Sequence, residues 1–156
     1  MRVFRLSRAK YADKLSGIGA SLKGARWNSQ GTELIYTSSN RSLAMAEVAV
    51  HLSFGMMPEG YRMMEIEIPD SSDILTISPS ELPADWDTFP YSSKTARFGD
   101  IFVRKGEYLA LCVPSAVTTG DFNYLINPAH PAFVHVRVLG MSDFRFDKRL
   151  LPYPIP

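Results

Sequence analysis

The chain has 156 residues, 46% of them apolar and 21% charged, with 17 Lys and Arg against 16 Asp and Glu for a formal net charge of +1. This length and composition fit one globular domain that buries its own core, and they argue against a disordered chain or one that needs metal or disulfide staples. The near-neutral balance offers no broad positive field for a polyphosphate backbone, so direct nucleic-acid binding is not expected. No apolar run reaches membrane-spanning length, and charges run through "MRVFRLSRAKYADK", where a secretory signal needs an apolar centre. The single cysteine, Cys112, sits in the apolar run "YLALCV" and reads as a small buried hydrophobe. A cytoplasmic protein without membrane span or internal disulfide is expected.

"RVFRLS" alternates apolar and basic residues as a half-buried strand does, and "KYADKLSGIGASLKGARWNSQG", with its glycines, reads as loop. "ELIYTS" (33–38) is β-prone, and Ser39 or Asn40 can cap a helix from about Ser42 to Phe54. "YRMMEIEIPD" puts Met64, Ile66 and Ile68 on one face and Met63, Glu65 and Glu67 on the other, a strand with one wet face, and "DILTIS" follows as a short strand. "PSELPADWDTFP" is turn-rich, after which Phe98, Ile101 and Phe102 recur at helical spacing until Gly106. "EYLALCVPS" predicts a buried strand ended by Pro114, "DFNYLINPAHP" a structured loop, and "AFVHVRVLG" a last alternating strand. Strands and helices mix without regular βαβ alternation, so the class is α+β. Residues 1–150 are expected to form one domain and residues 151–156 an irregular tail.

Glu47 is the one carboxylate in the apolar helix "SLAMAEVAVHL". It either pairs with His51 one turn on, or lies on a narrow wet stripe, or is an ionisable group held in an apolar setting for chemistry. Glu47 and His51 have the i, i+4 spacing of metal ligands, but no motif marks a third ligand, and His130 and His135 fall in unrelated segments; no metal site is expected. The three histidines read as a helix-surface, a loop and a strand residue. Arg26 lies between small residues and Trp27, where an anion can approach and an aromatic can hold the guanidinium plane; with Arg5 on the first strand it can clamp a diphosphate. Tyr36 is either a sheet-core aromatic or a ring that stacks on a heterocycle with its hydroxyl wet. Ser115 follows a strand-ending proline and alone reads as a turn hydroxyl. G-x-S-x-G, P-loop and G-x-G-x-x-G motifs are missing from the sequence.

The ordered segments "RVFRLS", "GARWNSQGTELIYTS", "SLAMAEVAVHL", "VPSAV" and "NYLINPAHPAF" resemble the RES-domain toxins of RES/Xre type II toxin–antitoxin systems. The likeness spans most of the chain. Ala25 stands where the family has the second glycine of Gly-Gly-Arg-Trp-Asn, while Arg26, Tyr36, Glu47 and Ser115 match by position. Arg5 matches the basic residue of the opening strand, and the loop with Asn123 and Asn127 also matches. The resemblance implies an ADP-ribosyltransferase-like split mixed sheet with flanking helices. It further implies cleavage of the nicotinamide–ribose bond of NAD by hydrolysis or phosphorolysis, and an Xre-like helix-turn-helix antitoxin as partner. NAD is then substrate, with no resident cofactor. Under this reading Arg5, Arg26, Tyr36 and Asn123 bind NAD, and Arg26, Tyr36, Glu47 and Ser115 form the catalytic set. The alternatives are ADP-ribose transfer to a protein acceptor, or a non-catalytic nucleotide- or partner-binding module, whose mark would be loss of Glu47 or Arg26.

Overall fold

A computed structural model of the chain describes residues 1–52 and 59–150. The strands are β1 (Arg2–Arg8), β2 (Ile35–Ser38), β3 (Tyr61–Glu67), β4 (Ile74–Thr76), β5 (Ala110–Pro114), β6 (Phe122–Ile126) and β7 (Arg137–Phe144), and the helices are α1 (Ile18–Lys23), α2 (Arg41–Ala49) and α3 (Ser93–Lys105). One seven-stranded sheet has the order β4-β5-β6-β2-β1-β3-β7, and all its pairs are antiparallel except β4–β5, which α3 connects as a crossover. This is the expected α+β class.

The sheet comes apart in its middle. β1 and β2 meet only at Phe4 opposite Ser38. Continuing that register would pair Arg5 with Thr37 and Leu6 with Tyr36; instead all four residues line a cleft. One face of the sheet is continuous, packing Val3, Ile35, Met64, Ile66 and Ile126 into a shared core. The other face carries two separate clusters. Phe102 of α3 packs with Trp27, Leu34, Leu111, Val113 and Leu125 over one half, and Ala44 of α2 packs with Leu6, Tyr61, Met63 and Phe146 over the other.

Asn40 is the α2 cap, accepting from Leu43 N at 2.8 Å, and Gly106 ends α3 in the left-handed region at φ 62°. Several expectations change. Helix α2 stops at Ala49, where β-branched Val48 and Val50 weaken it; of the expected extension to Phe54, Ser53 and Phe54 lie outside the described residues, as does the 151–156 tail. The glycine-rich segment contains α1 as well as loop, and a Cβ on its cap residue Gly17 would stand 2.5 Å from the Leu34 carbonyl oxygen. "DFNYLINPAHP" is no loop at its start: β6 pairs on both sides, because burial of Leu125 and Ile126 outweighs the poor strand propensity of Asn123. A 3-10 turn at Pro131–His135, capped by His130 Nδ1 on Ala132 N at 3.1 Å, takes up residues 132–135 of the expected strand, and the last strand starts only at Arg137. The second face of β3 is wet only at its Glu65–Glu67 end, since Met63 is 2% exposed beneath α2 and Phe146, and Ile101 of α3 faces solvent at 43% exposure.

Candidate active site

The split in the sheet opens a cleft of about 820 Å³. β1 contributes Arg5, β2 contributes Tyr36 and Ser38, the loop before β2 contributes Arg26, α2 contributes Glu47, and β6 contributes Asn123.

Glu47 is half-buried, not enclosed: of α2 only Leu43 and Ala44 are buried, because the helix lies across the mouth of the cleft. Among the described residues no ion pair joins Glu47 to His51, which is exposed at the cleft edge. Its Oε1 instead accepts from Ser115 Oγ at 2.8 Å and from Asn123 Nδ2 at 2.6 Å. The Ser115 hydroxyl in turn accepts the backbone N–H groups of Val117 at 3.0 Å and Thr118 at 3.1 Å. Both of its lone pairs are thereby used, so its proton is directed at Glu47. Ser115, 5% exposed, is therefore placed as a donor to the carboxylate and is poorly placed as a nucleophile. Asn123 Oδ1 accepts from Ser38 Oγ at 2.7 Å, across the Ser38–Asn123 register pair. Since a carboxylate can only accept, this fixes the amide with its nitrogen toward Glu47. Glu47 Oε2 is left without a protein donor among the described residues.

Arg26 donates to the Trp86 carbonyl oxygen, and its guanidinium carbon lies 5.7 Å from the Tyr91 ring centroid. Trp27, the expected partner of the guanidinium plane, instead turns inward, 3% exposed, with its ring centroid 6.3 Å from that of Trp86. Burial lowers the Arg26 pKa, and the nearby Glu47 and Asp87 carboxylates partly oppose that shift. Arg5 is not a solvated surface residue: it donates to the Ser16 carbonyl at 2.9 Å, and burial lowers its pKa as well. Both arginines stay charged and line one cleft.

The Tyr36 hydroxyl is not wet. It donates to Asn28 Oδ1 at 2.7 Å and accepts from Trp27 N at 3.2 Å, and burial raises its pKa. Asn28, 1% exposed, also donates Nδ2 to the Ala20, Ser29 and Thr32 carbonyls at 3.0, 3.1 and 3.0 Å. Tyr36 and Asn28 together hold the turn that carries Arg26. Ala25 needs no left-handed backbone, which Gly24 supplies at φ 71°, and no described non-glycine residue has positive φ. The turn is also pressed against α3 at Gly99, where a Cβ would stand 1.8 Å from the Trp27 carbonyl oxygen. Asn127, 1% exposed, accepts from Ala129 N at 3.0 Å and so shapes the turn after β6. Among the described residues there is no group of three or more His, Cys, Asp or Glu suited to a metal ion, and no helix long and apolar enough to cross a membrane.

Sequence reasoning missed Ser38, Asn28, Tyr91 and Asp87. Ser38 and Asn28 act through hydrogen bonds to residues distant in the chain, which no local pattern marks, while "DWDTFPY" gave only a turn signal.

A "Prs ADP-ribosylating toxin" from Sphingobium sp. is 35% identical over 154 residues, covering 96% of this chain and 94% of the relative. A "Toxin Res" from Pseudomonas putida is 36% identical over 155 residues, covering 96% and 99%. A chain in the crystal structure of the M. tuberculosis MbcT–MbcA toxin–antitoxin complex has the same fold, with TM-score 0.72 and 21% identity over 92% of this chain and 84% of that one. The sequence model of the RES domain matches residues 2–149. With a match of that extent, and with the cleft it encloses, the chain belongs to the RES domain family.

Proposed function

We propose that this protein is the toxin of a toxin–antitoxin pair and that it cleaves the nicotinamide–ribose bond of NAD. The observation that carries the reading is Glu47: two donors fix one carboxylate oxygen, and among the described residues the other has no protein donor, in a cleft that also holds Arg5 and Arg26. When the C–N bond breaks, its electron pair leaves with the nicotinamide nitrogen, which departs neutral, and positive charge develops on the ribose. A preorganised carboxylate opposes that charge without reorganising, and the arginines bind the diphosphate. Water then adds to the sugar carbon and releases a proton to give ADP-ribose; inorganic phosphate in its place gives the phosphorylated product. NAD is substrate here, and the step as written uses no metal.

The name of the Sphingobium relative favours a second reading, in which a protein side chain is the acceptor. Incubating the purified protein with NAD alone tests the first: nicotinamide release without a protein acceptor is expected, and its dependence on phosphate separates hydrolysis from phosphorolysis. Release only on adding a protein acceptor would support transfer instead. Insensitivity to a chelator is the expected outcome for a step without metal.

The reading includes restraint in trans by an antitoxin, of the Xre-like helix-turn-helix kind, that covers the cleft. Arg5 and Arg26 give it two cationic anchors, which a carboxylate of the partner can occupy in place of diphosphate. Antitoxin should then block NAD binding to a Glu47→Gln protein. A ternary complex with undiminished NAD affinity would show that restraint works elsewhere.

A further inference from the structure

Outside the Glu47 constellation, the cleft has an aromatic rim whose purpose the bond-breaking step does not explain. The turn between Leu82 and α3 presents Asp87, Phe89 and Tyr91 to the cleft. Phe89 is 76% exposed and Tyr91 40%, and their rings meet edge to face with centroids 6.5 Å apart. A single exposed aromatic is ordinary. These two differ in lining a cleft and in being tied to its cation. Arg26 bonds the Trp86 carbonyl in the same turn and lies over Tyr91, and the Trp86 ring packs on the buried Trp27. A Lys94–Asp85 pair at 3.3 Å and the bond from Thr88 Oγ1 to the Asp85 carbonyl at 2.9 Å hold the base of the turn. The rim is thus presented from an anchored turn.

The spatial order matters most. Glu47 lies near enough to Arg26 to affect its titration, Arg26 lies over Tyr91, and Tyr91 abuts Phe89. Carboxylate, cation, ring and ring follow one another as do reacting ribose, diphosphate, second ribose and second heterocycle along a dinucleotide. Asp87 in the same turn disfavours further negative charge at this end, which suits a part of the ligand that is neutral beyond the diphosphate. We propose that Phe89, with Tyr91, is the stacking platform for the adenine of the dinucleotide, so that this turn makes the site select a dinucleotide over a mononucleotide. Stacking on a flat ring suits any base and needs no hydrogen-bond code, which matches a rim built from rings.

The proposal rests on NAD as the substrate, and its test is separable from cleavage. Dissociation constants for NAD and for nicotinamide mononucleotide are measured by calorimetry on the Glu47→Gln background, whose turnover is expected to be about 10²–10³-fold lower. Phe89→Ala should reduce the preference for NAD over the mononucleotide about tenfold, toward the low end for loss of a base-stacking ring because Phe89 is exposed. Phe89→Trp should keep the preference, and Tyr91→Leu should lower it. An unchanged preference in both Phe89→Ala and Tyr91→Leu, with unfolding temperatures confirming the fold, overturns the platform. Should the platform variants behave as expected while the unmutated protein releases no nicotinamide, the cleavage reading falls and the platform stands.

Discussion

Replacing Glu47 by Gln changes one atom in the cleft, and the surrounding hydrogen bonds dictate which. Oε1 receives Ser115 Oγ and Asn123 Nδ2, and Ser115 has no lone pair left with which to accept, since Val117 N and Thr118 N use both. Turning the new amide nitrogen inward would set donor against donor, so the Gln oxygen must keep the inner position and the NH2 must occupy that of Oε2. In the proposed reaction the variant therefore removes a negative charge and also aims a donor at a sugar that is becoming positive. Loss of one comparable electrostatic stabiliser costs about 10²–10³ in turnover, roughly 2.7–4 kcal/mol, and the misdirected donor places the expectation at the upper end. The fold should lose little: two charge-assisted bonds become neutral ones at a cost of about 1 kcal/mol, or about 2–4 °C in Tm for a domain of this size. Nicotinamide release from NAD, calorimetric NAD binding and thermal unfolding, measured on the same preparation, separate these effects. A folded Glu47→Gln protein with turnover within about threefold of the parent, a difference under 1 kcal/mol, would remove Glu47 from the mechanism.

Ser115→Ala withdraws a donor from Glu47 and leaves the Val117 and Thr118 N–H groups, in a turn that is partly exposed, without their acceptor, so turnover should fall about tenfold and Tm should drop by a few degrees at most, both read in the same assays. Arg26→Lys cannot both reach the Trp86 carbonyl and stack on Tyr91, so NAD affinity on the Glu47→Gln background should weaken; unchanged affinity would make Arg26 a structural residue. Gly99→Ala drives a methyl into the Trp27 carbonyl and should destabilise by about 1–3 kcal/mol, with denaturant unfolding as the check. Burial alone would raise the Asp100 pKa, but hydrogen bonds with Ser29 and Thr32 outweigh it and hold the carboxyl below its ordinary range. Its stabilisation of the Arg26 turn is thus complete above about pH 4 and is lost as pH falls through the lower folded value, and Asp100→Asn should flatten that acid dependence of unfolding.

The parts of the fold legible in the sequence were those with local causes. Alternation marked β1 and β3, Asn40 offered a cap, and Gly106 stopped α3. β6 was misread because Asn123 and the turn residues that follow Ile126 masked the strand character of Phe122, Tyr124 and Ile126, which pairing on both sides brings out. Glu47 stood out because a lone charge in an apolar run is costly wherever it falls. Its partners did not: Ser115 looked like any turn hydroxyl, and Ser38 signalled nothing until the β2–β6 register brought it beside Asn123. Sequence also left open whether the Tyr36 hydroxyl is wet or held in the fold, since Asn28 reaches it only through the fold of the intervening turn.

The two donors that hold Glu47 lie 68 and 76 residues further along the chain. A ribosome adding about 5–20 residues per second needs on the order of 4–15 s to cross that stretch. Throughout that time the growing polypeptide already carries its carboxylate but has nothing to clamp it. Prematurely terminated products that end before Ser115 should therefore be harmless to the cell that makes them, however much of the N-terminal half they retain. For a protein read as a poison, the cell then has several seconds of synthesis in which a restraining partner can arrive before the molecule becomes dangerous.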